Sequence, residues 1–257
     1  MVSAIILGIV QGVTEFLPIS STGHLIIMRE LLGLNLTGSL SFDAVLQLAT
    51  ACAVALYFWR DVWSVVSVRT PESNRLLVAL CVGTIPAAAA GLALEDVLDS
   101  TFRSAHIVAW GLIGGALLMT GAEYVAKKKR ESTAMLSNVN ATTGVLVGFF
   151  QTLALVPGMS RSGSTIAGGL LAGFKREEAI RFSFLLSFPL LFGSGLKKLL
   201  DLGASGGVDA PLVVGSLVAF LVGLGAIHFL IVYLRKHTLT VFVTYRIILA
   251  ILILAFI

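Results

Sequence analysis

Three ionisable side chains lie inside interrupted apolar stretches of the chain: Glu15, His24 and Arg161. A charged side chain at the centre of a bilayer costs about 2.5–3.5 kcal/mol on insertion scales, so such residues are candidates for function. Gln11 and Glu15 stand four residues apart, which places them on one face of a helix. Their oxygen atoms are suited to a hard cation such as Mg²⁺ or Ca²⁺, and we predict that these two residues hold one. The alternative is a purely structural ion pair between Glu15 and Arg161.

Two clusters of hydroxyl residues follow a proline, at 20–24 and at 160–165. A helix that begins there offers its free N–H groups and the positive end of its dipole to an anion. Arg161 adds a planar guanidinium that matches phosphate oxygens. The alternative is that the hydroxyl groups only cap two helices. We predict a phosphate site formed by Ser20, Thr22, Gly23, Ser160, Ser162, Gly163 and Thr165.

Ser21 and His24 stand three residues apart on one helical face, which would hold a nucleophile and a base within reach of each other. Histidine exchanges protons near neutral pH. We therefore predict that Glu15, Ser21, His24 and Arg161 are catalytic, with Ser21 attacking phosphorus. The rival mechanism is attack by a water molecule that His24 or a metal-bound Glu15 activates, while Ser21 only holds phosphate oxygens.

The composition indicates where these residues must work. The chain has 257 residues, of which 57% are hydrophobic and 12% charged, and its mean hydropathy is +0.96. Soluble domains carry about 25% charged residues, so the composition excludes a soluble enzyme, a disordered chain and a nucleic-acid-binding module. No Lys or Arg precedes Arg29, so we expect the first apolar stretch to belong to the working protein rather than to a cleaved signal peptide.

The apolar runs predict an all-α polytopic membrane protein. About 20 helical residues cross the hydrocarbon core of a bilayer. Runs of this kind occupy 41–59, 76–94, 105–125, 177–197, 212–234 and 239–257. Two further stretches, 2–33 and 143–173, are interrupted by polar residues, Gly and Pro. We predict that each is a re-entrant helical hairpin, because non-helical backbone at membrane depth requires surrounding protein or a water-filled cavity.

The two interrupted stretches resemble each other, since each has a Gln, then a Pro, then hydroxyl residues and a Gly. We predict two repeats, 1–126 and 143–257, joined by a cytoplasmic linker at 127–142. Each repeat would contain one hairpin and three crossings, so the two copies would be inverted. Interrupted segments paired in this way are a pointer to a binding site.

The distribution of basic residues predicts the orientation. Eleven of them would face one side: Arg60, Arg69, Arg75, Lys127, Lys128, Lys129, Arg130, Lys175, Arg176, Arg235 and Lys236. Four would face the other: Arg29, Arg103, Lys197 and Lys198. Cytoplasmic loops carry the excess of Lys and Arg. We therefore predict that both termini and the mouth of the first hairpin face outside, and that the second hairpin enters from the cytoplasm.

Two segments of the chain resemble the signature regions of the undecaprenyl-diphosphatase family, bacterial integral-membrane enzymes also known as bacitracin-resistance proteins. They read QGVTEFLPISSTGH at 11–24 and PGMSRSGST at 157–165. The resemblance extends over nearly the whole chain, including its length and repeat organisation. At position 11 the family motif allows Glu or Gln, and this chain has Gln11.

The resemblance implies hydrolysis of undecaprenyl diphosphate to the monophosphate and phosphate, which recycles the lipid carrier of cell-wall synthesis. It also implies a divalent cation, Mg²⁺ or Ca²⁺, and a site in the plasma membrane that opens to the outer, periplasmic face. The matching acid, hydroxyl, His and Arg residues would be the functional ones. The partners would be a polyprenyl diphosphate lipid and the bilayer, with no nucleic acid, and no particular oligomeric state is indicated.

A transporter or flippase of polyprenyl phosphates is the alternative function, because inverted repeats with broken helices at mid-membrane are also a transporter architecture. The two functions differ in the chemistry they need. A carrier requires binding groups, whereas Glu15, Ser21, His24 and Arg161 form a reactive set.

Overall fold

The computed structural model describes residues 1–34, 39–67, 70–94, 104–128 and 135–256. Within these ranges the chain forms eleven α-helices and one short 3₁₀ turn, Leu136–Asn138. The helices are α1 Val2–Phe16, α2 Ser21–Leu31, α3 Ser39–Tyr57, α4 Trp59–Ser67, α5 Pro71–Ala93, α6 Ala105–Lys128, α7 Ala141–Leu153, α8 Arg161–Leu171, α9 Arg176–Ala204, α10 Ala210–Leu234 and α11 Thr240–Phe256.

Five of these helices, α3, α5, α6, α9 and α10, are long and apolar enough to cross a membrane. This confirms the prediction of an all-α, multi-pass membrane protein. The run predicted at 239–257 forms the shorter apolar helix α11, of 17 residues, and residue 257 lies outside the described residues.

The span predicted at 41–59 ends earlier than expected, at Tyr57, and a separate helix, α4, begins at Trp59. No residue of α4 is buried, and Trp59 and Trp63 are both exposed. A short helix with exposed tryptophans and interspersed charges is typical of the membrane interface, where amphipathic aromatic rings lie at headgroup level. The apolar run therefore continues into a separate helix none of whose residues is buried.

Each interrupted stretch forms two helices separated by a turn, α1 with α2 and α7 with α8. The second helix of each pair begins after a serine with positive φ, +77° at Ser20 and +68° at Ser160. The Ser20 hydroxyl accepts from the N–H of Gly23 at 3.4 Å, and the Ser160 hydroxyl accepts from the N–H of Gly163 at 3.2 Å. The same local structure, including an unfavourable backbone conformation for serine, therefore occurs at both positions.

The packing pairs each hairpin with a helix from the other half of the chain. Helix α1 packs along α10, and α7 packs along α5. Helix α3 packs on α9, and α6 packs on α11. Two equivalent halves would produce this reciprocal pattern.

The inversion of the halves across a membrane stays a prediction. Residues 129–134 of the predicted linker lie outside the described residues. So do four of the basic residues from which the orientation is predicted, Arg69, Arg103, Lys129 and Arg130.

Glycines let the paired helices approach closely. A Cβ atom on Gly148 of α7 would lie 2.1 Å from the carbonyl oxygen of Gly83 in α5. A Cβ atom on Gly8 of α1 would lie 2.4 Å from the carbonyl oxygen of Gly215 in α10. Small residues of this kind allow helices to pack by backbone contact in lipid, where no hydrophobic effect drives them together.

Arg246 of α11 joins the tips of both hairpins. Its side chain is fully buried, and its Nη1 atom donates to the carbonyl oxygen of Pro18 at 3.2 Å. Its Nη2 atom donates to the carbonyl oxygens of Gly158 at 2.8 Å and Met159 at 3.0 Å. Further bonds reach two carbonyl oxygens of α6, in Gly111 and Leu112. One guanidinium therefore satisfies backbone acceptors that the turns of the hairpins leave outside any helix.

We predict that Arg246→Met destabilises the fold, because a buried carbonyl left without a donor costs about 1–3 kcal/mol and several would be left together. The expected loss is about 3 kcal/mol or more, which lowers the midpoint of thermal unfolding in detergent by roughly 6 °C or more. Arg75→Met is the matched control, because Arg75 is half exposed and its pair with Glu72 is a surface contact of 3.7 Å. Equal midpoints for the two variants would contradict the role assigned to Arg246.

Candidate active site

A cavity of about 650 Å³ opens between the two hairpin tips and helices α3, α5 and α9. One part of its wall is polar and is built from the end of α1 and the first turns of α2 and α8. Another part is apolar and comes from α5 and from the residues that follow α7. The polar lining near the tips consists of Thr14, Glu15, Ser20, Ser21, Thr22, Gln151, Ser160 and Arg161.

Glu15 is the centre of the polar wall. Its Oε1 atom forms an ion pair with Nη2 of Arg161, which joins the first hairpin to the second. Its Oε2 atom accepts from Nε2 of Gln11 at 2.8 Å and from Oγ of Ser21 at 2.7 Å. Only 2% of the Glu15 side chain and 17% of the Arg161 side chain are exposed. The ion pair that the sequence offered as the alternative to a cation site therefore exists, and both of its residues line the cavity, where a ligand would meet them.

The hydroxyl residues Ser20, Ser21, Thr22 and Ser160 line the cavity. Two of them are the N-caps of α2 and α8, and the other two occupy the first turn of α2. The starts of two helices therefore line one cavity, and Arg161 is part of the same lining. This arrangement favours an anion with several oxygen atoms.

His24 has different partners from those expected. Its Nδ1 atom bonds to the carbonyl oxygen of Ser20 at 2.7 Å, and its Nε2 atom bonds to the hydroxyl of Tyr245 at 2.7 Å. The ring stacks on that tyrosine, with ring centres 5.7 Å apart. Both ring nitrogens are thus engaged, and the Ser21 hydroxyl is bonded to Glu15 instead. The rotation of the first turn of α2 directs Ser21 back towards α1 and His24 towards α11.

Three residues of the second cluster that we predicted to bind phosphate lie behind the cavity wall. The Ser162 hydroxyl donates to the carbonyl oxygen of Leu17 at 3.2 Å, which links the two hairpin tips. The Thr165 hydroxyl bonds to the carbonyl oxygen of Arg161 at 2.7 Å and to the Ser183 hydroxyl at 2.5 Å. Gly163 lies in the Ser160 cap, as Gly23 does in the Ser20 cap. Successive residues of a helix point about 100° apart, so a helix that directs Arg161 into the cavity directs its next residues elsewhere.

Sequence reasoning missed two residues near the site. Gln151 lines the cavity with its side chain 1% exposed, and its position in the second stretch matches that of Gln11 in the first. That internal similarity was the signal from which it could have been found. Tyr245 gave no comparable signal, because it lies in an apolar run and meets His24 only through the packing of α11.

The donor atoms near Glu15 fit a divalent cation. The Oε1 atom of Gln11 is buried and has no hydrogen-bond partner among the described residues. It belongs to the side chain whose Nε2 atom is bonded to Glu15, so an amide group and a carboxylate are in contact. Oxygen ligands of these two kinds are the ones that Mg²⁺ and Ca²⁺ use. The described residues contain no cluster of three or more His, Cys, Asp or Glu side chains, so part of the coordination would have to come from a ligand.

Comparison with known proteins places the chain in a family. The model of a family described as bacitracin resistance protein BacA matches residues 4–252. The chain is 41% identical over 272 residues to an undecaprenyl-diphosphatase of Chloroherpeton thalassium, covering 99% of this chain and 96% of the relative. It is 43% identical over 259 residues to one of Moorella thermoacetica, covering 99% and 97%. A third relative of the same name, from Thermobifida fusca, is 43% identical over 267 residues, covering 99% and 89%.

These matches span both hairpins and the helices between them, and they confirm the resemblance found in the two signature segments. The tips of the two hairpins meet around Glu15, Ser21 and Arg161. The chain belongs to the BacA family of bacitracin resistance proteins.

Proposed function

We propose that the protein is an integral-membrane phosphatase that hydrolyses undecaprenyl diphosphate to undecaprenyl phosphate and phosphate. This reaction recycles the lipid carrier of cell-wall synthesis. The names of the relatives support the substrate. The observation that carries the chemistry is the Ser21 hydroxyl bonded to Glu15, whose other oxygen atom is paired with Arg161 in a cavity. A carrier would need groups that bind phosphate, but it would not need a hydroxyl held on a carboxylate.

The two parts of the cavity wall match the two parts of such a lipid. Its diphosphate would lie against the starts of α2 and α8, where N–H groups, hydroxyls and Arg161 converge. Its prenyl chain would lie against the apolar part, which includes Ala87, Ala88, Leu92, Leu155 and Val156. Each buried CH₂ group contributes about 0.8 kcal/mol, so the apolar part favours a long chain.

In the first step of the mechanism, Oγ of Ser21 attacks the terminal phosphorus. A bond forms between them while the bond from that phosphorus to the bridging oxygen breaks, and undecaprenyl phosphate leaves with the bridging oxygen. The Ser21 proton passes to Oε2 of Glu15, the acceptor 2.7 Å away, and then to the leaving phosphate. Protonation of Glu15 removes the negative charge that neutralises Arg161, so the guanidinium becomes free to stabilise the charge on the phosphate oxygens.

In the second step a water molecule attacks the phosphoserine. Glu15, again a carboxylate, accepts the proton from the water and returns it to Ser21 as the bond between phosphorus and Oγ breaks. Phosphate is released and the starting state is restored. His24 holds the start of α2 in this scheme through the carbonyl oxygen of Ser20, and it is itself oriented by Tyr245.

A divalent cation, Mg²⁺ or Ca²⁺, would be held by Gln11 and Glu15. When bound it would supply positive charge beside the diphosphate, whose oxygen atoms could not otherwise approach Glu15 without repulsion.

The site would open to the outer face of the plasma membrane, with both chain termini on that side. The cavity extends to Leu40, at the start of α3, and to Lys197 and Lys198, towards the end of α9. The excess of Lys and Arg at the opposite helix ends supports this orientation, because cytoplasmic loops carry such an excess.

The proposed function predicts that the pure protein in detergent releases phosphate from undecaprenyl diphosphate. Inorganic pyrophosphate should be a much poorer substrate, because it lacks the chain that the apolar part of the cavity binds. Phosphate release from both compounds is measured under the same conditions. Equal efficiency on the two would contradict the assigned substrate class, and no release from the lipid would remove the phosphatase proposal.

Removal of divalent cations should abolish turnover, and added Mg²⁺ or Ca²⁺ should restore it. Glu15→Gln should be inactive at every cation concentration, because it removes the carboxylate from the cation, from Arg161 and from Ser21 at once. Cation binding to the chelator-treated protein, measured by calorimetry without substrate, provides a readout that does not depend on activity. Full activity after chelation would refute the role of the cation.

Covalent catalysis predicts that Ser21→Ala loses essentially all activity. It also predicts that wild-type enzyme, quenched with acid during turnover of terminally labelled substrate, carries labelled phosphate on Ser21. A variant that retained more than about a tenth of wild-type turnover would have lost less than ~1.4 kcal/mol of barrier lowering, which is too little for a missing nucleophile. That result, together with no trapped label, would assign the attack to water.

A further inference from the structure

Gln151 is a buried side chain with unused hydrogen-bonding capacity. It is 1% exposed and it lines the cavity. Neither its Oε1 atom nor its Nε2 atom has a hydrogen-bond partner in the part of the chain that the structure describes. Buried polar groups in folded proteins nearly always have partners, and a carboxamide without any is unfavourable. A free amide that lines a cavity therefore points to a ligand in that cavity.

The comparison of the two hairpins explains why this amide is free. Gln11 and Gln151 occupy matching positions in the two interrupted stretches. In the first hairpin the residue four positions later is Glu15, and its carboxylate accepts a hydrogen bond from Nε2 of Gln11. In the second hairpin the residue four positions later is Leu155, which offers no acceptor and lines the cavity. The amide of Gln151 therefore has no acceptor at the equivalent position of its own hairpin and can bond to a ligand.

The location of Gln151 indicates which part of the lipid it would contact. It lies in the last turn of α7, three residues before Ala154, which with Leu155 and Val156 belongs to the apolar part of the wall. Helix α7 packs along α5, which supplies Ala87 and Ala88 to the same part. Glu15, Ser21 and Arg161 occupy the polar wall. Gln151 therefore stands where the polar and apolar parts of the cavity meet.

We propose that the carboxamide of Gln151 binds the phosphate group that is bonded to the prenyl chain, with Nε2 donating to one of its non-bridging oxygens. This proposal rests on the proposed function, in which Ser21 attacks the other, terminal phosphate. The lipid-bonded phosphate is present in the substrate and is kept in the product. Gln151 therefore contributes to the binding of both, and it takes no part in breaking the bond.

The test compares Gln151→Leu with wild type in three measurements. We expect KM for undecaprenyl diphosphate to rise about tenfold while kcat stays within twofold, since an interaction equal in ground and transition states affects KM alone. We expect the affinity for undecaprenyl monophosphate, measured directly in the absence of turnover, to fall about tenfold. Thermal stability of the protein without ligand should be equal or higher, because an unpartnered buried amide has been replaced by an apolar side chain.

Thr152→Val is the matched control. Thr152 is the next residue of the same helix, its hydroxyl donates to the carbonyl oxygen of Gly148 at 3.1 Å, and it is not part of the cavity lining. The Thr152→Val variant should have the same KM and the same affinity for the monophosphate as wild type. Gln151→Met serves as the second variant if the Leu variant does not fold, because it keeps the unbranched shape of glutamine and removes both polar atoms.

Each outcome is decisive for Gln151. Unchanged KM and unchanged affinity for the monophosphate in an active enzyme would overturn the proposal, because the amide would then contact no phosphate. A fall in kcat at constant affinity for the monophosphate would overturn it as well, because the contact would be with the terminal phosphate. If wild type released no phosphate at all, the proposed function would fail, while weaker binding of the monophosphate by Gln151→Leu would still support the contact.

Discussion

The structure depends on the bonds that one buried guanidinium makes to backbone carbonyl groups. The hairpin turns at 17–20 and 154–160 leave the regular helix in the interior of an apolar molecule, where their carbonyl groups cannot all find helical partners. Arg246 donates hydrogen bonds to the carbonyl oxygen of Pro18 in one turn and to those of Gly158 and Met159 in the other. It also donates to a carbonyl oxygen of α6. A Cβ atom on Gly115 of α6 would lie 2.0 Å from its Nη2 atom, so α6 must present glycine there. The two turns are thereby fixed against each other by contacts that involve no substrate.

The reactive groups depend on this arrangement because they come from different hairpins. Glu15 and Ser21 belong to the first hairpin and Arg161 to the second, and their contacts require the tips to meet. The bond from Ser162 to the carbonyl oxygen of Leu17 fixes the same approach from a second direction. A buried carboxylate and a buried guanidinium without each other would be strongly unfavourable. Paired, their charges balance, and an incoming phosphate would compete with Glu15 for the same guanidinium.

The sequence predicts much of this fold because its signals are local. Apolar runs mark the spans, and the hydroxyl residues after Pro18 and Pro157 mark the helix starts that Ser20 and Ser160 cap. The spacing of Gln11 and Glu15 predicts their shared face, and the bond between them confirms it. The partners of His24, Ser162 and Thr165 were beyond local signals, because they depend on how α2 and α8 rotate within the fold. The role of Arg246 was hidden for a related reason, since its acceptors are backbone atoms, which carry no residue identity.

The site also shows how two hairpins with the same local backbone structure carry different functional groups. Both keep a Gln, a Pro, a capping Ser with positive φ and a Gly that donates to that cap. Two of their many differences decide the reactive groups. The position four residues after the Gln is Glu15 in one and Leu155 in the other, and the position after the cap is Ser21 in one and Arg161 in the other. The first hairpin thus carries the carboxylate and the hydroxyl, and the second carries the guanidinium of Arg161 and an apolar surface. Since a phosphate lipid needs both a charged and an apolar environment at one point, only the meeting of two unlike tips provides a complete site.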